Sequence, residues 1–161
     1  DESNGAEEDG EEAEVVNFRD LKDFLPNRIG SLKMVEDDTE GQTSKILGFK
    51  VSTVNGTYRD GDARMKINII DPGNRNSVLN LLATWANVEI DSESGSGYQR
   101  TMEHKGHKAF EQYDTKSKDG SFAMLVAKRF LVTIDGDNVD MDDMKDAIDE
   151  INIKKLARRA D

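Results

Sequence analysis

The longest apolar run in the chain is SFAMLVAKRFLVTID at Ser121–Asp135, broken once by Ala127-Lys128-Arg129. Phe, Val, Ile and Thr suit a pleated, half-buried surface, so the run predicts two strands, Phe122–Val126 and Phe130–Ile134, joined by a tight turn. On the second strand Phe130, Val132 and Ile134 fall on one face, Leu131 and Thr133 on the other. The run is too short and too interrupted to span a bilayer, which takes about 20 residues. It reads as a core hairpin.

The same patterning places the other elements. Val15, Phe18, Leu21 and Leu25 fall at helical spacing, which predicts a helix over Val15–Pro26 with Asn17 as its cap and Pro26 as its stop. Leu32–Val35 reads as a short strand and Asp37–Ser44 as polar turn. Phe49–Tyr58 and Ala63–Ile70 read as strands around Arg59-Asp60-Gly61-Asp62, a hairpin signal. Met65, Ile67 and Ile69 alternate with Lys66, Asn68 and Ile70, the mark of a sheet with one buried face.

Asp71-Pro72-Gly73 breaks the sheet. Asn76–Ala86 follows as the strongest helix signal, with Val78, Leu81, Leu82, Trp85 and Ala86 in one stripe. Trp85, the single tryptophan, continues that stripe and reads first as core. Val88–Gly97 reads as a polar loop. Gly97–Glu103 and Lys108–Asp114 form a hairpin about His104-Lys105-Gly106-His107, and Thr115–Gly120 is a second turn. Asp135-Gly136-Asp137-Asn138 reads as a turn. A helix then runs from Asp140 to about Ile151, opened by an Asp140/Asp143 capping box and buried along Met141, Met144, Ala147, Ile148 and Ile151. Asn152 caps a last turn through Ile153 and Leu156.

These elements predict an α+β fold: one antiparallel sheet of about six to seven strands covered by two or three helices. Long αβ alternation is missing, which argues against a parallel nucleotide-binding sheet. The 161 residues fit one domain over 15–157, with 158–161 as the C-terminal end.

Charge changes the picture at one end. The formal net charge is −11, and residues 1–14 carry eight acids and no base, so the rest of the chain carries only −3. A segment with so little to bury is expected to be disordered. Neither part has the basic face that nucleic acid requires. There is no cysteine, hence no disulfide and no thiolate metal site. A Gly- and Glu-rich stretch beginning at Asp1 has two readings, the tail that follows the cleavage site of an exported bacterial lipoprotein or an arbitrary boundary in a cytoplasmic protein, and the first is the one expected. The expected location is extracytoplasmic, periplasmic or at the cell surface. Membrane attachment would come only through a lipid anchor upstream.

Candidate chemistry is sparse. Asp135–Asp143 fails the EF-hand pattern, with Val139 at position 5 and Asp140 at position 6. His104 and His107, the only histidines, could hold a metal with Glu103 or Glu111, but an H-x-x-H turn alone lacks the four spaced ligands of a structural zinc site. Ser94-Gly95-Ser96-Gly97 is no nucleophile elbow, and no phosphate-binding glycine motif occurs. Lys154, Lys155, Arg158 and Arg159 read as a solvated helix end. Tyr58, Tyr98 and Tyr113 lie on strands, where an exposed tyrosine could meet a partner.

From Phe18 to Leu156 the chain resembles uncharacterised bacterial exported proteins, often lipoproteins, through NFRDLKDFLP, GFKVSTVNGTY, GYQRTMEHKGHKAFEQY, KRFLVTIDGDNVD and INIKKLA. Its element order is also similar to the PsbP-like and DcrB-like proteins, whose fold is a helix-covered antiparallel sheet. The resemblance carries no catalytic residue. Fold-level likeness alone does not give function. The sequence as a whole, with no reaction-centre motif, is read as a non-catalytic binding or assembly module of the cell envelope, with no metal or cofactor expected and another envelope protein as the expected partner. The alternative is a small-ligand or lipid site between the sheet and the 76–86 helix. The candidate binding residues are Trp85, Tyr98, His104 and His107.

Overall fold

The structure, a computed structural model, describes residues 14–46, 49–73 and 87–160. The expected helix at 76–86, Trp85, and all but the last residue of the acidic tail lie outside the described residues.

The fold is α+β and mainly antiparallel sheet. The strands are β1 (Arg28–Ile29), β2 (Leu32–Met34), β3 (Glu40–Ile46), β4 (Phe49–Asp60), β5 (Ala63–Asp71), β6 (Asp91–Ser94), β7 (Gly97–His104), β8 (His107–Asp114), β9 (Asp119–Val126) and β10 (Phe130–Asp137). Three helices accompany them among the described residues: α1 (Phe18–Lys22), α2 (Met141–Glu150) and α3 (Ile153–Arg158). Among the described residues the sheet therefore has ten strands, not six to seven. The additional ones are short or polar. Glu40–Ile46 falls where a polar turn was expected, and Asp91–Ser94 inside the expected polar loop. Among the described residues β3 bonds only to β4 and β6 only to β7, and these polar edge strands escape a search for hydrophobic alternation.

The order across the sheet is β1-β2-β4-β5-β10-β9-β8-β7-β6, with β3 beside the first half of β4. Two meanders, β1–β5 and β6–β10, thus meet edge to edge at one non-local seam, β5 against β10. Residues 122–134 are inner strands at the centre of this arrangement.

Register sorts side chains into two faces. Toward the helices, Val54, Ile69, Val132, Met124 and Ala109 stand in one row. Gly56, Ile67, Ile134, Phe122 and Glu111 stand in the next. Apart from Glu111 these rows form the dry core, with Leu21, Met144, Ile148 and Leu156 from the helices. Gly136 makes room for α2: a Cβ there would lie 2.5 Å from Val139 and 2.9 Å from Met144.

The helix ends follow their local chemistry. Asn17 Oδ1 accepts from Arg19 N at 2.9 Å, but α1 spans only Phe18–Lys22, shorter than the apolar spacing predicts. Phe24 and Leu25 are still buried, in turn rather than helix. Asp140 and Asp143 form the reciprocal capping box of α2, and Asn152 Oδ1 accepts from Lys155 N at the start of α3. Lys105 and Gly106 both take positive φ, so the β7–β8 turn is the two-residue type that matches strand twist.

Candidate functional site

Three features of the second meander gather the polar and exposed groups that the core does not use.

The first lies under α2. Arg100 on β7 and Glu111 on β8 are direct cross-strand partners on the helix side. The Glu111 side chain is 0 % exposed. Arg100 Nε bonds to its Oε1. Lys145 Nζ of α2 lies 2.9 Å from Oε2. That approach is off the hydrogen-bonding direction, so Oε2 has a charge contact and no hydrogen bond. Arg100 also covers the Tyr98 ring, 5.1 Å from its centroid. Burial, and then the Glu111 charge, push the Tyr98 hydroxyl above its ordinary value. Tyr98 packs on Tyr113 with ring centroids 6.3 Å apart, and Tyr113 donates to Val139 O at 2.7 Å.

His104 closes the same face. Its ring meets Phe122 edge-on at 5.6 Å, and its Nε2 lies 3.3 Å from Asp149 Oδ1 on α2. Lys105 Nζ reaches the same oxygen at 2.8 Å. Burial raises the Asp149 carboxyl, but bonds from Lys105 and His104 outweigh it and hold the group below the usual carboxylate value. His107 stands directly opposite His104. The two histidines are neighbours, yet His104 turns to a part-exposed aspartate and not to the buried Glu111. Among the described residues, no three His, Cys, Asp or Glu side chains are placed to hold one metal ion. Neither His104 nor Glu111 lines the cavities described next. The seam therefore couples α2 to β7 and β8 through neutralised charge, and its Arg100 and Tyr98 also line the cavities described next.

The second feature is the outer edge. β6 is four residues long and fully exposed, and it pairs with β7 only over Gly97–Arg100. Thr101 N then donates to Ile90 O at 2.8 Å, and Ile90 N donates to Thr101 Oγ1 at 3.1 Å. Two residues on, the Glu103 backbone points to the same edge. Val88 and Ile90, at 44 % and 38 % exposure, are the large apolar residues left most open among the described residues. A groove of about 700 Å³ runs beside them, lined by Ile90, Met102, Arg100, Glu103 and Lys108 among others.

The third is a polar trough of about 590 Å³ over β6–β10, lined by Ser92, Gln99, Gln112, Asp114, Asp119, Ser121, Asp135 and Asp137 among others. Burial raises the Asp135 carboxyl, against the opposing Lys66 charge.

Of the four sequence candidates, Trp85 and the pocket expected near it lie outside the described residues. The structure brings Tyr98 and His104 to the helix-facing seam and puts His107 beside His104. Sequence reasoning named Glu111 only as a possible metal ligand and missed Arg100, Lys145, Val88 and Ile90. Glu111 had a signal: it occupies an inward position of the predicted strand Lys108–Asp114. No helix among the described residues is long and apolar enough to cross a membrane. No family model, curated protein or solved structure matches the chain.

Proposed function

We propose that this protein is a non-catalytic binding or assembly module that takes an extended segment of a protein partner along the β6–β7 edge. The carrying observation is the pair Val88 and Ile90, open to solvent beside a groove on a strand edge. Exposed aliphatic side chains next to unpaired backbone offer both parts of strand addition: a hydrogen-bonding ladder and pockets for alternate side chains. Asp91 and Glu93 on β6 guard the edge against indiscriminate pairing, a usual device of exposed strands. The groove carries Arg100 and Lys108 as well as Glu103, so it favours a segment with both apolar and charged positions.

The partner class is another protein of the bacterial cell envelope. The support for that setting is the acidic composition of residues 1–14 and the resemblance to exported lipoproteins.

A photo-crosslinking residue placed at Ile90 tests the reading in cells of the source organism. A discrete adduct is expected, lost when Val88→Asp and Met102→Asp are added, and absent when the crosslinker sits at the exposed Lys22 of α1. No adduct at position 90, or the same adducts from both positions, would overturn it.

A further inference from the structure

The outer face of the sheet carries a charge pattern that neither the core nor the β6–β7 edge uses. One register row crosses six strands as Lys33, Arg59, Arg64, Asp137, Asp119 and Asp114. The row is basic on the first meander and acidic on the second, and the sign changes at the β5/β10 seam. In the adjacent row Lys66 and Asp135 repeat the change at the same seam. Five of the six residues in the first row are exposed, and Asp114 is half-buried.

Within one chain this pattern is only partly useful. Arg64 opposite Asp137, and Lys66 opposite Asp135, favour the non-local pairing of β5 with β10. The remaining neighbours work the other way. Lys33 faces Arg59, Arg59 faces Arg64, Asp137 faces Asp119, and Asp119 faces Asp114. Like charges directly opposite each other on antiparallel strands are destabilising. Asp114 has a local role, accepting from Lys116 N and Ser117 N through Oδ1, and Asp119 accepts from Ser117 Oγ. Neither bond removes the charge from the face.

We infer that this face is a self-complementary docking surface whose partner is a second copy of this chain. A two-fold axis along the β5/β10 seam, in the plane of contact, turns each row onto itself in reverse. It sets Arg59 and Arg64 of one copy over Asp119 and Asp137 of the other, and the reverse, with Lys66 and Asp135 matched in the next row. A metal ion would neutralise the acidic half alone, and an anion the basic half alone. A second copy neutralises both with one surface, and the two-fold contact closes at a dimer. The six-residue row is about 24 Å long at the usual strand spacing. Sheet twist limits close contact to its central strands, β4, β5, β10 and β9. The contact is polar and opposed by the net charge of −11, so the dimer is reversible and concentration-dependent.

Sedimentation velocity over about a hundredfold range of concentration tests this, since mass action raises the dimer fraction with concentration. A monomer–dimer equilibrium is expected. Arg64→Asp alone and Asp137→Arg alone should each weaken it by about tenfold or more, an effect the size of a lost close charge pair. The Arg64→Asp/Asp137→Arg swap keeps the net charge and should restore the dimer. Arg59→Asp repeats the test one strand from the seam, leaving the pair opposite Asp137 intact, and thermal unfolding of each variant confirms that it is folded. A chain that sediments as a monomer at every concentration overturns the inference. So does a dimer that none of the single reversals moves, or a swap that fails to restore what the reversals removed.

Discussion

Arg129 closes on Asp71 through two parallel bonds, Nε to Oδ1 at 2.9 Å and Nη2 to Oδ2 at 3.0 Å, with the Asp71 side chain fully buried. The pair joins parts of the chain that are far apart in sequence. Asp71 ends β5 and also accepts from Val16 N at 2.6 Å and Gly73 N at 2.9 Å. Arg129 lies in the β9–β10 turn and donates to Glu14 O at 2.9 Å and, at 3.4 Å, to Arg159 O and Ala160 O beyond α3. One ion pair thus fastens the residues before α1, the central hairpin and the end of the last helix.

Removing either partner alone should be severe. Asp71→Asn or Arg129→Met leaves a buried charge without its counter-charge, a loss of about 3–5 kcal/mol. Replacing both together, as Asp71→Leu with Arg129→Met, should cost less than the two single losses combined, because no charge is left stranded. Urea unfolding of the three variants measures this. Simple additivity would mean that the pair is not the unit described here.

The same turn holds backbone strain. Ala127 and Lys128 have φ of +52° and +57°, the left-handed region that side chains with a Cβ disfavour. Both are exposed, so nothing in the core requires their side chains. Lys128→Gly should stabilise the protein by up to about 1 kcal/mol, the left-handed penalty less the added freedom of the unfolded chain. Thermal unfolding reads the gain as a rise in Tm. A fall would show that the Lys128 side chain has a role that its exposure does not reveal.

These two residues also show what a sequence can carry. Ala127-Lys128-Arg129 was legible as the break between two strands, because the apolar run stops and resumes around it. That Arg129 folds back to Asp71 was not legible, since nothing local links positions 58 residues apart. The helix caps at Asn17, Asp140 and Asn152 were legible because capping is decided within three residues. β3 was not: Gly41, Thr43 and Lys45 share its core-side register, and none of them is a large apolar residue, so no hydrophobic alternation appears. Gly41 is small for a reason on the far side of the layer, where a Cβ would come within 2.8 Å of the Phe18 ring. The candidate site divides the same way. His104 stood out as a rare residue. Glu111 was one acid among 33 acidic residues, and only its inward register separates it from the rest.

Glu111 gives an asymmetric prediction. Its side chain is enclosed, whereas Arg100 is 51 % and Lys145 22 % exposed. With Glu111→Gln, both cations can turn toward water, and the loss should stay near 1–2 kcal/mol. With Arg100→Met and Lys145→Met together, the carboxylate stays buried without a counter-charge, and the loss should reach about 3–5 kcal/mol. Urea unfolding at neutral pH compares the two. Equal losses would mean that water reaches Glu111 and that the helix–sheet seam is looser than its burial indicates.

Acid titration separates the carboxylates of Asp114 and Asp143 by sign. Backbone bonds from Ser117 and Lys116 hold the Asp114 carboxyl below its ordinary 3.8, so the folded chain prefers it ionised. Its contribution to stability is present above the unfolded value and is lost as pH falls through the lower folded value. Burial moves Asp143 the other way, against the bond it accepts from the Asp140 backbone. A raised folded value favours the protonated form, so that contribution is complete below the unfolded value and disappears as pH rises through the folded one. Asp114→Asn should therefore lower Tm at neutral pH, and its gap to the unmodified chain should close as pH drops below about 3.8. Asp143→Asn removes the repulsion between the two capping carboxylates while its side-chain oxygen can still accept from Asp140 N. Its Tm relative to the unmodified chain should rise as pH increases through the carboxylate range. Thermal unfolding at a series of pH values checks both slopes, and finding the same sign for the two variants would contradict the opposite environments seen at Asp114 and Asp143.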